Sequence, residues 1–297
     1  MSSKNNTFKI HKKEKLYYNW MIVFTILLCI PGLLFLPYVL FIALFVLFST
    51  GIFIGYVKGS GVHVTKDQFS DLYDIVVKQC KILSIKNIPQ VYILESGGLL
   101  NAMATKFVGS NYLIIYSDLY EVILDGRKDV VEFIIAHELC HIKRNHVHKK
   151  MYVFPSLIIP FLALAYSRAC EYTCDAAGYS VSPRGAVDGI KLLASGKRLY
   201  KEMNADVYSK QLESTGGFWV WFSEKLSTHP HLSKRITTDM KRASFNSHRY
   251  ADKPRIIEDK NKEISRVEIQ SNTSEIEKGE KENKSKGNDH QRFMPKF

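Results

Sequence analysis

The sequence predicts an α+β fold, in which a small sheet packs on an H-E-x-x-H helix and further helices, behind an N-terminal hairpin of two transmembrane helices. Three observations carry this expectation. Residues 16–57 form an apolar tract without one charged side chain. Short strand-like runs at Val91–Leu94, 99–108 and Asn111–Tyr116 follow it, rich in Val, Ile and Tyr. Beyond them, apolar residues recur at helical spacing as far as about residue 242.

A single helix through residues 16–57 would far exceed the about 20 residues that cross a bilayer. Pro31-Gly32 and Pro37 break the tract near its middle, so the expected spans are Tyr17–Leu34 and Tyr38–Val57. A cleaved signal peptide followed by one span is the alternative, but the tract is too long and no A-x-A-like site follows. Lys4, Lys9, Lys12, Lys13 and Lys15 precede the hairpin, Lys58 and Lys66 follow it, and its turn is uncharged. The positive-inside rule then puts both flanks, and the rest of the chain, in the cytoplasm. The expected organisation is a basic cytoplasmic tail over 1–15, the hairpin over 16–57, a folded domain over 58–245 and a tail over 246–297. That last segment mixes Lys, Glu, Asn and Ser and is too poor in apolar residues to order itself.

The elements of the domain follow in order. Thr65 with Gln68 reads as a capping box ahead of Phe69, Leu72, Ile75, Val76 and Leu83 at helical spacing. Gly97-Gly98 turns the chain from the first strand into the second. A helix runs from Lys128 to His148, entered through Asp125-Gly126, and further helices cover 163–177, 186–203 and 232–242.

A net charge of +12 suggests nucleic acid until its distribution is considered. The lysines crowd beside the apolar tract, which suits an anionic membrane surface, and no nucleic-acid module accompanies them. Nucleic acid is therefore excluded as a partner. The five cysteines are odd in number and contain no C-x-x-C pair, as expected for a reducing compartment.

The chemistry lies in His137-Glu138-Leu139-Cys140-His141. On a helix, residues four apart share a face, so both imidazoles can reach one zinc ion while Glu138 serves as general base. Val130, Ile134, His137 and His141 form one stripe, which turns the histidines toward the core. The bland alternative is a pair of satisfied core histidines. A third-histidine pattern needs Gly and His where Arg144 and Val147 stand, and His146 and His148 are expected to be solvated residues at a basic helix end. Downstream, Glu171 and Asp175 share a helix face. Glu171 then completes a His₂Glu site open to water, and Asp175 accepts the other ring N–H of a ligand histidine. Cys170 and Cys174 remain alternative ligands. They would suit a competing reading, a non-enzymatic membrane-anchored interaction protein with a structural zinc site.

With these residues on the page, the chain resembles the HtpX-like branch of membrane zinc metallopeptidases, gluzincins related to the CAAX prenyl endopeptidases. The resemblance rests on Asn101-Ala102-Met103-Ala104, on the H-E-L-C-H helix, on Ser167 to Asp175 and on Thr228-His229-Pro230. It implies a zincin-like metallopeptidase domain, one Zn2+ per chain, polypeptide substrates in unfolded or membrane proteins, and contact with membrane lipid. It also implies that His229 helps stabilise an oxyanion and that Asn101, Ala102, Met103 and Ala104 line the substrate cleft. Oligomeric state is not legible. One departure stands out: HtpX proteins carry two further spans before the third ligand, where this chain has only Met151–Tyr166, interrupted by Pro155 and Pro160. One crossing there would part Glu171 from His141 across the bilayer, and two need about 40 residues. The run is therefore expected in the domain core or at the membrane interface.

Overall fold

A computed structural model describes residues 8–32, 36–95, 97 and 101–251. The centre of the expected hairpin turn, residues 99–100 of the expected second strand, and the tail beyond 251 lie outside the described residues.

The two N-terminal helices, α1 (Lys12–Gly32) and α2 (Leu36–Ser60), are not equivalent. α2 leaves Leu36, Phe41, Leu44, Phe48 and Ile52 exposed and is buried only near its end, where Ile54 and Val57 join Tyr92, Leu94, Tyr112 and Ile114. Among the described residues it is the one helix long and apolar enough to cross a membrane. α1 instead grips the folded domain with its first three turns. Met21 is buried with Val153, Tyr166 and Cys170, and Glu14 is 1% exposed. The expected boundary between a free basic tail and a span, at 15/16, therefore falls inside a helix bound to the domain. The cause is Glu14, the one acid among those lysines, which has buried partners.

The sheet contains β1 (Val62–His63), β2 (Gln90–Leu94), β3 (Ala102–Phe107) and β4 (Ser110–Tyr116) in the order β1-β2-β4-β3. β2 runs parallel to β4, and β3 pairs antiparallel with it. The two-residue turn between them, Val108-Gly109, has φ of 41° and 81°, the left-handed pair that matches strand twist. β3 is thus an edge strand. Between β1 and β2 lies α3 (Ser70–Ile82), which starts later than the capping box implied. Thr65 and Gln68 bond to each other through their backbones, and the Gln68 amide donates to the His63 carbonyl at 2.8 Å, so neither caps the helix.

The helices that follow are α4 (Ser117–Leu124), α5 (Lys128–Lys143), α6 (His146–Tyr152), α7 (Leu162–Val181), α8 (Gly185–Leu199), α9 (Ala205–Thr215), α10 (Phe218–Leu226) and α11 (Leu232–Ala251). α5 was expected to reach His148. It stops at Lys143, because Asn145 takes a left-handed conformation (φ 52°), which Asn tolerates better than most residues, and the chain turns into α6. α5 is the axis of the core. Its Phe133 ring lies where α7 and α8 each offer a glycine: a Cβ on Gly178 would come within 2.8 Å of the ring, and one on Gly189 within 2.5 Å. This close approach brings α5 and α7 side by side and sets the distance between their functional residues. Chain unit Met1–Ala243 holds all of this, and the described part of the second unit is the end of α11.

The run at 151–166 is neither wholly core nor wholly surface. A 3-10 turn (Phe154–Ile158) buries Ser156, and Val153 before it is buried on α1, while Met151, Tyr152 and Ile158 stay exposed.

Candidate active site

α5 places His137 and His141 one turn apart with their Nε2 atoms 3.3 Å from each other. α7 brings Glu171 against both: Oε2 lies 3.3 Å from His137 Nε2 and Oε1 3.5 Å from His141 Nε2. Tetrahedral ligands about 2.1 Å from a divalent cation stand about 3.4 Å apart, so these separations are those of three ligands on one metal. Glu171 is 4% exposed, and its Oε2 is buried without a hydrogen-bond partner. Its neighbours there, His137 Nε2 at 3.3 Å and Arg235 Nη1 at 3.5 Å, offset its charge without a hydrogen bond, which leaves a lone pair for a cation. The residues fit a metal.

Two buried carboxylates concentrate negative charge around His137. Burial lowers the His137 pKa, yet the Asp175 and Glu171 carboxylates bearing on its ring push it up to about 10. Burial disfavours the charged forms of both acids, but the neighbouring histidines hold Glu171 well below the usual carboxylate range. Arg235 and His137 bring Asp175 down to about 2 in the same way. The three sequence-expected ligands and Asp175 are therefore together. Asp175 Oδ1 lies 3.0 Å from His137 Nδ1, the nitrogen turned away from Glu171.

Two features had escaped the sequence reading, Arg235 and the inward turn of His146, and Cys174, an alternative ligand, lies close by. Arg235, on α11, donates to Asp175 from Nε at 2.9 Å and from Nη2 at 2.6 Å, and its Nη1 lies 3.5 Å from Glu171. Its legible signal was a pair of charges, Arg235 and Asp239, on the inward face of a helix with Ile236. His146, expected in solvent, is 3% exposed, with Nδ1 3.0 Å from His141 Nδ1. The helix break at Asn145 turns it inward. Cys174 stands near both ligand histidines and 3.9 Å from His146 Nδ1, its thiol pushed well above its ordinary value by burial. Cys140, its Sγ 4.0 Å from the Thr173 carbonyl, faces α7 away from the histidine face, as its helical phase implied.

Glu138 lies on the substrate side. One carboxylate oxygen accepts the backbone N–H of Ala104 at 2.9 Å. That N–H points off the free edge of β3, so the expected general base sits at the rim of an unpaired strand. Of the expected cleft residues, Ala102 is buried, Met103 and Ala104 are half-buried and Asn101 is exposed. On the opposite rim His229 is 60% exposed, its Nε2 3.4 Å from Glu171 Oε1 and its Nδ1 2.8 Å from the Thr228 hydroxyl. Arg168 fixes this loop, donating from one nitrogen to the carbonyls of Glu224, Lys225 and Ser227 at 2.7–3.0 Å. These carbonyls close the C-terminus of α10, where the Glu224 carbonyl also accepts the Ser227 N–H at 3.1 Å.

The curated relative named plastoglobule-localized metallopeptidase 48, chloroplastic, of Arabidopsis thaliana is 26% identical over 175 residues, 52% of this chain and 49% of that protein. The chain thus spans about half the length of that relative. The crystal structure of S. mikatae Ste24p is similar at 14% identity and a TM-score of 0.42, over 68% of this chain and 56% of that one. The pattern of peptidase family M48 matches residues 66–160 and 153–242, which include H-E-L-C-H, Glu171 and His229. The chain belongs to peptidase family M48, a family of metallopeptidases.

Proposed function

We propose that this chain is a membrane-anchored zinc endopeptidase that hydrolyses peptide bonds in unfolded or membrane-protein substrates, a quality-control role. His137, His141 and Glu171 hold one Zn2+. The observation that carries the reading is the buried Glu171 carboxylate, whose two oxygens face the Nε2 atoms of His137 and His141 at 3.3 and 3.5 Å, with Glu138 next to His137 on the same helix. When bound, the ion lowers the pKa of water and polarises a carbonyl. Glu138 takes the proton from the attacking water and passes it to the leaving amine, held in place by the Ala104 N–H. His229 offers a ring N–H to the oxygen that gains negative charge. The substrate extends along β3 and bonds its free edge through backbone groups, a mode that tolerates many side chains. Asp175 fixes the tautomer and orientation of His137.

The α1–α2 hairpin is the anchor, with both ends on the cytoplasmic side and the domain of residues 58–245 held at the membrane surface by α1. The test is Glu138→Gln in the full chain. Zinc content should remain at one per chain while cleavage of an unfolded protein falls by at least about a hundredfold. Unchanged proteolysis would remove Glu138 from the mechanism. Membrane proteins that accumulate in cells carrying this variant would identify the substrates.

A further inference from the structure

A second buried carboxylate stands behind the metal site, and it comes from the other end of the sequence. Glu14 accepts from the Thr173 hydroxyl at 2.6 Å and from Arg144 Nη2 at 2.8 Å, and His146 Nε2 lies 3.3 Å from its Oε1. His146 Nδ1 in turn meets His141 Nδ1 at 3.0 Å. We infer that Glu14, acting through His146, is a positioning residue for the metal ligand His141. The inference deepens the zinc reading above and rests on it.

Proton accounting gives the chain a direction. An imidazole that offers Nε2 to a cation keeps its proton on Nδ1. The His141 Nδ1–H therefore donates to His146 Nδ1, which leaves the His146 proton on Nε2, aimed at Glu14. Thr173 and Arg144 each bring a donor to Glu14, so its carboxylate is left as the acceptor that ends the chain. Each ring's tautomer is set by the next group, as a carboxylate behind a ligand histidine does directly. Through α1, the helix that leads into the apolar hairpin thereby contributes to the metal site.

The experiment measures Zn2+ affinity by chelator competition, and the absorption spectrum of the Co2+-substituted protein, on the full chain in detergent. Glu14→Gln and His146→Phe should each weaken Zn2+ binding about 10–100-fold and shift the Co2+ spectrum. The double variant should lose little more than either single one, because both cut the same link. Should Glu14→Gln fail to fold, His146→Phe still reads the link, since Glu14 keeps Arg144 and Thr173. Wild-type affinity and spectrum in folded His146→Phe, or fully additive losses, overturn the proposal. His141→Ala serves as the control: if it too leaves affinity unchanged, the zinc reading itself has failed.

A different observation carries a second proposal. Phe218, Trp219 and Trp221 of α10 are 62%, 76% and 52% exposed, and Phe222 meets Phe161 across a T-shaped contact. The apolar surface continues through exposed Ile158 to α1, where Trp20 is 50% exposed beside buried Met21. The geometry points to a bilayer surface as the occupant of this face. It runs on from the proposed membrane hairpin, it is aromatic as interfacial anchors are, and Lys225 lies over the Trp221 ring, placed for anionic headgroups. α10 leads straight into the His229 loop, so the active site would face lipid. The chain's three tryptophans make the test clean. In vesicles of brominated phosphatidylcholine with phosphatidylglycerol, Trp20→Phe protein should show strong quenching of Trp219 and Trp221. Absence of quenching there, with Trp20 quenched in the Trp219→Phe/Trp221→Phe protein, overturns the interfacial face. If Trp20 is not quenched either, the membrane anchor fails with it.

Discussion

The two ligand histidines are backed in different ways. Behind His137 lie Asp175 and Arg235, both from α7 and α11 inside the folded domain, with Asp175 fully buried and Arg235 4% exposed. Behind His141 lie His146 and Glu14, the latter from α1, with Arg144 part-buried at its side. One support is local to the domain and sealed. The other borrows from the helix that enters the hairpin and is bordered by groups that water can reach. The proposed metal site and the proposed anchor thus share residues on the His141 side.

Asp175→Asn should have the largest effect on stability. It removes the carboxylate that takes two hydrogen bonds from the buried Arg235 and leaves that guanidinium only Glu171, 3.5 Å from its Nη1, a loss of about 3 kcal/mol read by denaturant unfolding. Glu14→Gln should cost less, because Arg144 can turn to solvent. Equal losses would erase the distinction between a sealed and an open support. Next in size is Arg168→Ala, which frees the carbonyls at the end of α10 and loosens the His229 loop. Turnover should fall about 10–100-fold with Zn2+ affinity unchanged, and a fall in affinity instead would place Arg168 with the metal supports.

The smallest effect concerns Asp239, close to the sealed support. Burial and then the nearby Asp175 charge push its pKa up to about 7. A carboxyl raised on folding contributes stability below its unfolded value and loses it as pH rises through about 7. Asp239→Asn should therefore gain in melting temperature relative to wild type between pH 6 and pH 8. A difference that is flat with pH would contradict this.

The division between legible and illegible parts follows the same line. His137, His141, Glu171 and Asp175 were readable because pairs four apart share a helix face, and the strands were readable from Val, Ile and Tyr runs between turns. His146 was not. On an unbroken helix it lies five positions beyond His141, about 140° around the axis and away from the site. Only the left-handed Asn145 returns it. Glu14 looked like one acid in a lysine-rich tail, and nothing local announces a contact with Thr173 across 159 positions. The capping box at Thr65 failed for a related reason: the adjoining β1 took the Gln68 side chain. Helical periodicity found the residues that meet at the candidate site, while their supports depended on breaks and long-range contacts.

The central claim is that one cation is held by two imidazoles and the Glu171 carboxylate, with Cys174 a neutral neighbour. Metal content of the purified full chain, measured by mass spectrometry for wild type, Glu171→Ala and Cys174→Ser, tests this directly. One zinc per chain in wild type and Cys174→Ser, with loss in Glu171→Ala, is the expected result. Zinc retained without Glu171 and lost without the Cys174 thiol would contradict it.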